Sequence, residues 1–200
     1  FKPVATALPV AGEIVTVEGP LISHLRDGME RSISLGSLQQ PSPAMDLTIV
    51  GCGYVGLALA ERLQLRRPQL RLTLTTTSSE RLEHLSSLAD RVRVCDATNP
   101  AQLLDALQQS SSAVFCLGPK GDRQVDADGY RHTFVDSFRC LKSLLPQLPN
   151  LRQILYTSSC SVYGDAQGGW VDEQTPPDPG RGHGDVLLES EQLLSGISDR

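Results

Sequence analysis

The chain has 200 residues, a formal net charge of −5 and a hydrophobic content of 40%. This length suits one domain with an appendage, and the mild acidity gives no argument for binding nucleic acid or an anionic membrane. No run of about 18 apolar residues and no charged-then-apolar leader is found, so we expect a cytoplasmic protein without a membrane span.

Residues 1–44 carry scattered glycine, proline and serine with no sustained period. Their last part, 37–44, has the composition of a linker, although a short strand is predicted around Glu13 to Val17. We interpret 1–44 as a weakly ordered extension and 45–200 as the folded domain.

An apolar strand at 47–50 runs directly into Gly51-x-Gly53-x-x-Gly56, and an alanine- and leucine-rich helix follows. In this context Gly51 permits a tight turn, Gly53 lets the backbone approach a pyrophosphate, and Gly56 lets the helix pack close against the strand. The helix start also offers unpaired N–H groups to phosphates. The stretch therefore predicts a dinucleotide site, and the alternative is a merely structural glycine turn.

Strand and helix patterns alternate beyond this point. Further strands are predicted at 70–75, 92–95, 113–117 and 153–157, and helices at 80–88, 100–108, 126–145 and 186–194. Asn99 is the expected cap of the helix that opens with Pro100. The alternation predicts an α/β fold of the Rossmann type, a doubly wound, mostly parallel sheet that ends before a sixth strand, with ligand at the carboxyl ends of its strands.

The end of the second strand bears on the choice of dinucleotide. NAD-binding units usually have Asp or Glu there, but residues 75–79 read Thr-Thr-Thr-Ser-Ser, with Arg81 just beyond. The hydroxyls of Thr76 and Ser78 and the Arg81 guanidinium could hold a 2′-phosphate, which an acid would repel. NADP is therefore favoured over NAD, and the alternative is that Ser78 or Ser79 only caps the next helix.

Five cysteines are spread along the chain without a Cys-x-x-Cys pair. Four of them lie in or beside apolar runs, where we expect buried, reduced thiols rather than disulfides. Beside Cys95, Asp96 follows the third strand and is either an adenine contact or a turn residue before the Asn99 cap. His132, on the long helix, is interpreted as a surface residue.

A second informative stretch, 156–165, reads Tyr-Thr-Ser-Ser-Cys-Ser-Val-Tyr-Gly-Asp, and Asp-Glu-x-Thr-Pro-x-x-Pro follows at 172–179. With the glycine fingerprint, it resembles the extended short-chain dehydrogenase/reductase family, the NAD-dependent epimerase/dehydratase group, over roughly 46–195. The resemblance implies a Rossmann core, a nicotinamide cofactor, a small-molecule substrate that is usually a nucleotide sugar, and a homodimer formed through the helices at 126–145 and 186–194.

The fingerprint and the resemblance together indicate a set of cofactor contacts at the strand ends. These are Gly51, Gly53, Tyr54, Val55, Gly56, Thr76, Ser78, Arg81, Asp96, Ala97, Leu117, Gly118 and Thr157.

Position by position, Ser159 matches the family's active-site serine, which hydrogen-bonds the reacting oxygen. The family's catalytic Tyr-x-x-x-Lys pair falls on His183 and Leu187, so both members are missing. Tyr130-x-x-Thr133 stands where the family normally has Tyr-x-x-Asn. The resemblance therefore implies an atypical member.

His183 has two interpretations. An imidazole, with an ordinary pKa near ~6.5, suits proton transfer at neutral pH without a lysine. The alternative, which we favour, is a polar residue in the flexible glycine-rich loop 180–184, because glycines would hold the ring loosely and catalysis needs it fixed.

Two functions follow. The first is an NAD(P)-dependent oxidoreductase or epimerase/dehydratase acting on a hydroxyl or carbonyl substrate. The second is an NAD(P)-binding sensor or scaffold without turnover, which the loss of the catalytic pair supports. Residues 53–57, Gly-Tyr-Val-Gly-Leu, are also similar to nucleotide-sugar 6-dehydrogenases, but the loop at 161–164 has no place in those enzymes.

Overall fold

A computed structural model describes residues 5–9, 15–16, 45–119, 126–180 and 182–198, the first two ranges as backbone only. The predicted linker at 37–44 and most of the extension 1–44 lie outside the described residues. In the described part of the chain, no helix is both long and apolar enough to cross a membrane.

The described strands form one sheet. Its five parallel strands are β3 (Asp46–Val50), β4 (Arg71–Thr76), β5 (Arg91–Val94), β6 (Ser112–Phe115) and β7 (Gln153–Thr157). With β1 (Ala5–Pro9) and β2 (Val15–Thr16), the strand order is β2-β1-β7-β6-β3-β4-β5. The chain builds outward from β3 to β5 and then returns to add β6 and β7 on the other side. This reversal beside β3 is where a doubly wound sheet binds its ligand, and the predicted fold class is confirmed.

The helices cover both faces of this sheet. They are α1 (Tyr54–Arg66), α2 (Leu82–Ser86), α3 (Pro100–Leu107), α4 (Ala127–Arg131), α5 (Ser137–Leu144) and α6 (His183–Ser198). A π-helical turn, His132–Asp136, joins α4 to α5, so that the helix predicted at 126–145 is one continuous rod. Asn99 caps α3 as predicted, since its side chain accepts hydrogen bonds from the backbone N–H groups of Ala101 and Gln102.

Helix α6 begins earlier than the sequence pattern indicated. The prediction placed its start at Val186 and left His183 in a flexible loop, but the helix starts at His183 itself. In the sequence, the two glycines at 182 and 184 are typical of a loop. Gly184 nevertheless lies inside the helix, where it allows a close approach to neighbouring backbone.

Two of the described strands lie within residues 1–44. β1 (Ala5–Pro9) pairs antiparallel with β7, and β2 (Val15–Thr16), inside the short strand predicted at 13–17, pairs antiparallel with β1. Backbone pairing thus connects this segment to the sheet, while the division of the chain at residue 45 stays a prediction.

The core has two layers, one on each face of the sheet. α1 and α2 cover one face, and their contacts include Leu74 and Leu85. α3, α5 and α6 cover the other, where Phe115, Phe138 and Tyr156 form an aromatic cluster with ring centroids 4.7–5.2 Å apart. Between these layers the carboxyl ends of the parallel strands are held rigidly at one edge.

Candidate functional site

The glycine fingerprint forms a tight turn between β3 and α1. Gly51 has a φ of +87°, and a Cβ there would lie 2.7 Å from the carbonyl oxygen of Cys116. Its N–H donates a hydrogen bond of 2.9 Å to the hydroxyl of Thr75. The turn is therefore fixed against both neighbouring strands, and only glycine fits its first position.

The other two glycines meet different surroundings. A Cβ on Gly53 would have no atom within 4 Å, so the backbone there faces open space. A Cβ on Gly56 would lie 2.7 Å from the carbonyl oxygen of Gly51 and 3.1 Å from the Ile49 side chain. Gly56 thus lets α1 pack on β3, and Gly53 leaves room for a ligand at the N-terminus of α1.

A cavity of about 820 Å³ opens at the carboxyl ends of the parallel strands. Every predicted cofactor contact lines it except Gly56, which packs against β3, and Ser78. The open approach at Gly53 and the size of the cavity fit a dinucleotide. Cofactor contacts by the individual residues stay predictions.

The predicted cofactor contacts include no residue of the long helix, but this helix lines the same cavity. Gly129, His132, Thr133 and Ser137 face it from α4, the π turn and α5. The Thr133 hydroxyl donates to the Gly129 carbonyl (2.8 Å), and the Ser137 hydroxyl donates to the Thr133 carbonyl (2.7 Å). The four-residue spacing of 129, 133 and 137 was the available signal. His132 is exposed, as expected for a surface residue, and its Nδ1 lies 3.5 Å from an Asp136 carboxylate oxygen.

The end of β4 presents hydroxyls and a cation to the cavity. Thr76 and Arg81 both line it, whereas the N–H of Ser78 donates to the Thr76 hydroxyl (3.2 Å) and the Ser78 side chain forms no helix cap. Burial raises the pKa of the Cys52 thiol, and the Arg81 charge partly offsets that rise. This guanidinium is therefore close to the glycine turn, and among the described residues it forms no ion pair.

Asp96 takes the turn arrangement that was one of its two expected roles, and its contact with adenine stays a prediction. One carboxylate oxygen accepts hydrogen bonds from the N–H (3.0 Å) and the hydroxyl (2.7 Å) of Thr98, which is a turn arrangement. Asp96 also lines the cavity beside Ala97.

Three thiols line the cavity: those of Cys52, Cys95 and Cys116. Burial raises the pKa of Cys95 to about 12 and that of Cys116 to about 11. Because the thiolate is the reactive form, these side chains act as neutral packing groups. Cys160 alone of the five cysteines is exposed, and all five are free, as expected.

Ser159 lies just beyond the carboxyl end of β7. It is exposed, and its hydroxyl oxygen accepts a hydrogen bond of 3.2 Å from the Ser161 N–H at the start of the 3₁₀ turn Cys160–Tyr163. Thr157, two residues earlier, lines the cavity, but Ser159 and His183 do not. Ser159 is thus an exposed residue two positions beyond the cavity lining, and its catalytic role stays a prediction.

His183 is better ordered than a loop residue would be. Its imidazole stacks face to face on the ring of Tyr130, with centroids 3.9 Å apart and planes 8° apart. Leu187, at the family's lysine position, is buried in the core at 4% exposure. The position of the family's catalytic tyrosine therefore carries an imidazole stacked on Tyr130. The position of its lysine carries a leucine that is part of the hydrophobic core.

Polar groups of β7 and α6 meet behind Ser159. The Ser158 hydroxyl oxygen is buried without a well-formed hydrogen bond, near the Tyr156 hydroxyl and the Glu191 carboxyl. Burial raises the pKa of Tyr156 to about 12, although a 3.1 Å hydrogen bond with the Ser190 hydroxyl opposes that rise. Burial also raises the pKa of Glu191.

The described residues contain no group of three or more His, Cys, Asp or Glu side chains placed to hold a metal ion. The features of the cavity are those of a nucleotide site. The model of the NAD dependent epimerase/dehydratase family matches residues 47–196, so the chain belongs to this family.

Its curated relatives include "D-erythronate dehydrogenase" of Cupriavidus necator, 33% identical over 160 residues, which covers 75% of this chain and 49% of that protein. "Protein YeeZ" of Escherichia coli K12 is 34% identical over 162 residues, covering 76% and 53%. The chain therefore spans about half the length of these relatives.

Solved structures share the fold. A UDP-galactose 4-epimerase aligns with a TM-score of 0.65 and 18% identity, over 76% of this chain and 51% of that one. A dTDP-glucose 4,6-dehydratase from Bacillus anthracis in complex with NAD aligns with a TM-score of 0.62 and 14% identity, over 77% and 50%.

Proposed function

We propose that the protein is a nicotinamide-dependent oxidoreductase of the epimerase/dehydratase type, acting on a small hydroxyl or carbonyl substrate. The observation that carries this proposal is the glycine turn at the head of the strand-end cavity, where Gly51 is conformationally obligatory and Gly53 faces open space. Family membership and a relative named as a dehydrogenase support the same reaction class.

NADP is the favoured cofactor. Gly53 and the start of α1 would face the pyrophosphate, and Asp96 and Ala97 the adenine. Thr76 and Arg81 would then lie near the adenine ribose, where a guanidinium that forms no ion pair within the described part of the chain favours a 2′-phosphate. In this region no carboxylate ends β4, which argues against preference for a free ribose 2′-hydroxyl.

The chemistry would take place near the end of β7. A bound nicotinamide accepts or donates hydride. The hydroxyl of Ser159, an exposed residue two positions beyond the cavity lining, would donate a hydrogen bond to the substrate oxygen. When a substrate hydroxyl is oxidised, its proton would pass to the His183 imidazole, the polar side chain at the position of the family's tyrosine.

A second candidate is an NAD(P)-binding sensor or scaffold without turnover. The burial of Leu187 supports it, because no charged group replaces the family's lysine at that position. The two candidates share the cofactor site and differ in whether a substrate reacts.

Cofactor titration tests the shared site. The full-length protein is titrated with NADP and with NAD, followed by calorimetry, as wild type, Arg81→Ala and Arg66→Ala. Charge-assisted hydrogen bonds are worth about 1.5–3 kcal/mol, so Arg81→Ala should weaken NADP binding about 10- to 100-fold and leave NAD binding nearly unchanged. Arg66, exposed in the last turn of α1 and absent from the cavity lining, is the matched control. Binding of neither nucleotide would overturn both candidates.

A turnover assay distinguishes the enzyme candidate from the sensor or scaffold candidate. Hydroxy acids including D-erythronate, sugar acids and nucleotide sugars are screened by nicotinamide absorbance. The enzyme candidate predicts turnover by the wild type and a loss of about 10- to 100-fold in Ser159→Ala, since one hydrogen bond to the reacting oxygen is removed. Ser86→Ala, at an exposed position of α2, is the control. Tight cofactor binding with no substrate turned over supports the sensor.

A further inference from the structure

The stacked pair of Tyr130 and His183 is not explained by core packing alone. Both rings are only partly buried, and they come from different helices, α4 and α6. Their centroids are 3.9 Å apart and their planes differ by 8°, which is full face-to-face contact. The stack confines the plane of the imidazole, because a rotation that tilts the ring would break this contact.

Tyr130 is itself held from behind. The centroid of its ring lies 5.3 Å from that of Phe134, and the Phe134 centroid lies 6.4 Å from that of Tyr156 on β7. Phe134 and Tyr156 are buried. The orientation of the Tyr130 ring is therefore set by the aromatic core, and its outer face is presented to His183.

The backbone of His183 is fixed as firmly as its ring. A Cβ on the next residue, Gly184, would lie 2.6 Å from the carbonyl oxygen of Ser161 and 2.7 Å from the Cβ of Pro179. Ser161 also donates through its N–H to the Ser159 hydroxyl oxygen. The start of α6 is thus pressed against the same turn that carries Ser159.

Tyr130 also connects this pair to the cavity. Gly129 and Thr133, which flank it on the helix, both line the cavity, as does Thr157 on β7. The imidazole therefore stacks against the helix that lines the cavity, and the helix start that carries it approaches the Ser159 turn, while the family's lysine position is filled by buried Leu187.

We propose that Tyr130 is a positioning residue that fixes the His183 imidazole beside Ser159, so that this stacked pair takes over proton transfer from the missing Tyr-x-x-x-Lys pair. This inference rests on the proposed function for its catalytic part. Its structural part, the fixed ring, needs neither substrate nor cofactor.

The test uses the full-length protein as wild type, Tyr130→Phe, Tyr130→Leu and His183→Gln. NMR of the imidazole protons, assigned by their absence in His183→Gln, reports the stack, because protons over the face of an aromatic ring resonate upfield. The upfield shift should remain in Tyr130→Phe and be lost in Tyr130→Leu. Tyr163→Leu, which removes another half-buried tyrosine not stacked on His183, should leave it in place.

The same variants are then assayed with the substrate found by screening. Tyr130→Leu should lower kcat about 10-fold or more with little change in KM or in cofactor affinity, and Tyr130→Phe should restore it. The inference is overturned if the imidazole proton resonances of the wild type show no upfield shift, or if the Tyr130→Leu enzyme has the kcat of the wild type. A shifted imidazole in a protein that turns over nothing instead overturns the proposed enzyme function and the catalytic half of the inference together.

Discussion

The nucleotide end and the chemical end of the site lie at the same edge of one sheet but are built differently. At the nucleotide end, the turn of Gly51 and Gly53 works through backbone shape, and the residues that the motif requires are all present. At the chemical end, the Ser159 turn and helix α6 keep the family's scaffold, while His183 and buried Leu187 replace its reactive side chains. The backbone geometry of the glycine turn is thus retained where the reactive side chains have changed.

The largest effect is expected when the family's lysine is restored at the chemical end, at position 187. In Leu187→Lys, an ammonium group would enter the core at a position only 4% exposed. Burial of a lysine lowers its pKa by up to several units, so we expect a loss of about 4 kcal/mol or more in the free energy of unfolding at pH 7. Urea denaturation measures it, with half-buried Leu188→Lys as the control. The loss should shrink as the pH rises toward the ordinary lysine pKa of about 10.4. Unchanged stability at pH 7 would show that position 187 is not core in solution.

The glycine turn allows the contrast to be tested within one motif. Gly51→Ala should lower the free energy of unfolding by about 1–3 kcal/mol, because alanine meets both a φ of +87° and the Cys116 carbonyl. Gly53→Ala should leave stability within about 0.5 kcal/mol of wild type but weaken cofactor binding, since its methyl group projects into open space. Thermal unfolding and calorimetric titration report the two effects. Equal stability losses in both variants would contradict the assignment of Gly53 to the ligand.

A smaller change in stability is expected for Glu191, in the polar cluster behind Ser159. Burial raises the pKa of Glu191 above its unfolded value, and the Ser158 hydroxyl opposes this. The folded state therefore binds more protons than the unfolded state between the two pKa values, and stability falls as the pH rises through the folded-state pKa. Glu191→Gln should be more stable than wild type at pH 7, with the difference vanishing below about pH 4. Denaturant titrations at both pH values check this, with Glu189→Gln, which loses ion pairs to Arg131 and Arg139, as the contrasting variant. A stability difference between Glu191→Gln and wild type that does not change with pH would contradict the raised pKa of Glu191.

Sequence patterns predicted the glycine turn and its flanking elements because their determinants are local. The strand before Gly51 and the helix after Gly56 are contiguous with the turn in the chain. Ser159 was assigned through the resemblance of the stretch 156–165 to the family, and its role stays a prediction. The pairing of Tyr130 with His183 could not be predicted, since it depends on how two distant helices pack. The start of α6 was misplaced because glycines at 182 and 184 are typical of loops.

The π turn His132–Asp136 has a consequence for helix phase. In a regular α-helix, residues four apart drift by about 40° per step, because each residue advances about 100° around the axis. A wider turn reduces this drift, so Tyr130, Phe134 and Phe138 keep facing Tyr156 and the imidazole along one line. Deletion of a single residue within this turn would rotate the two ends of the rod against each other. The aromatic row or the cavity face would then lose its alignment, although every side chain of both would still be present.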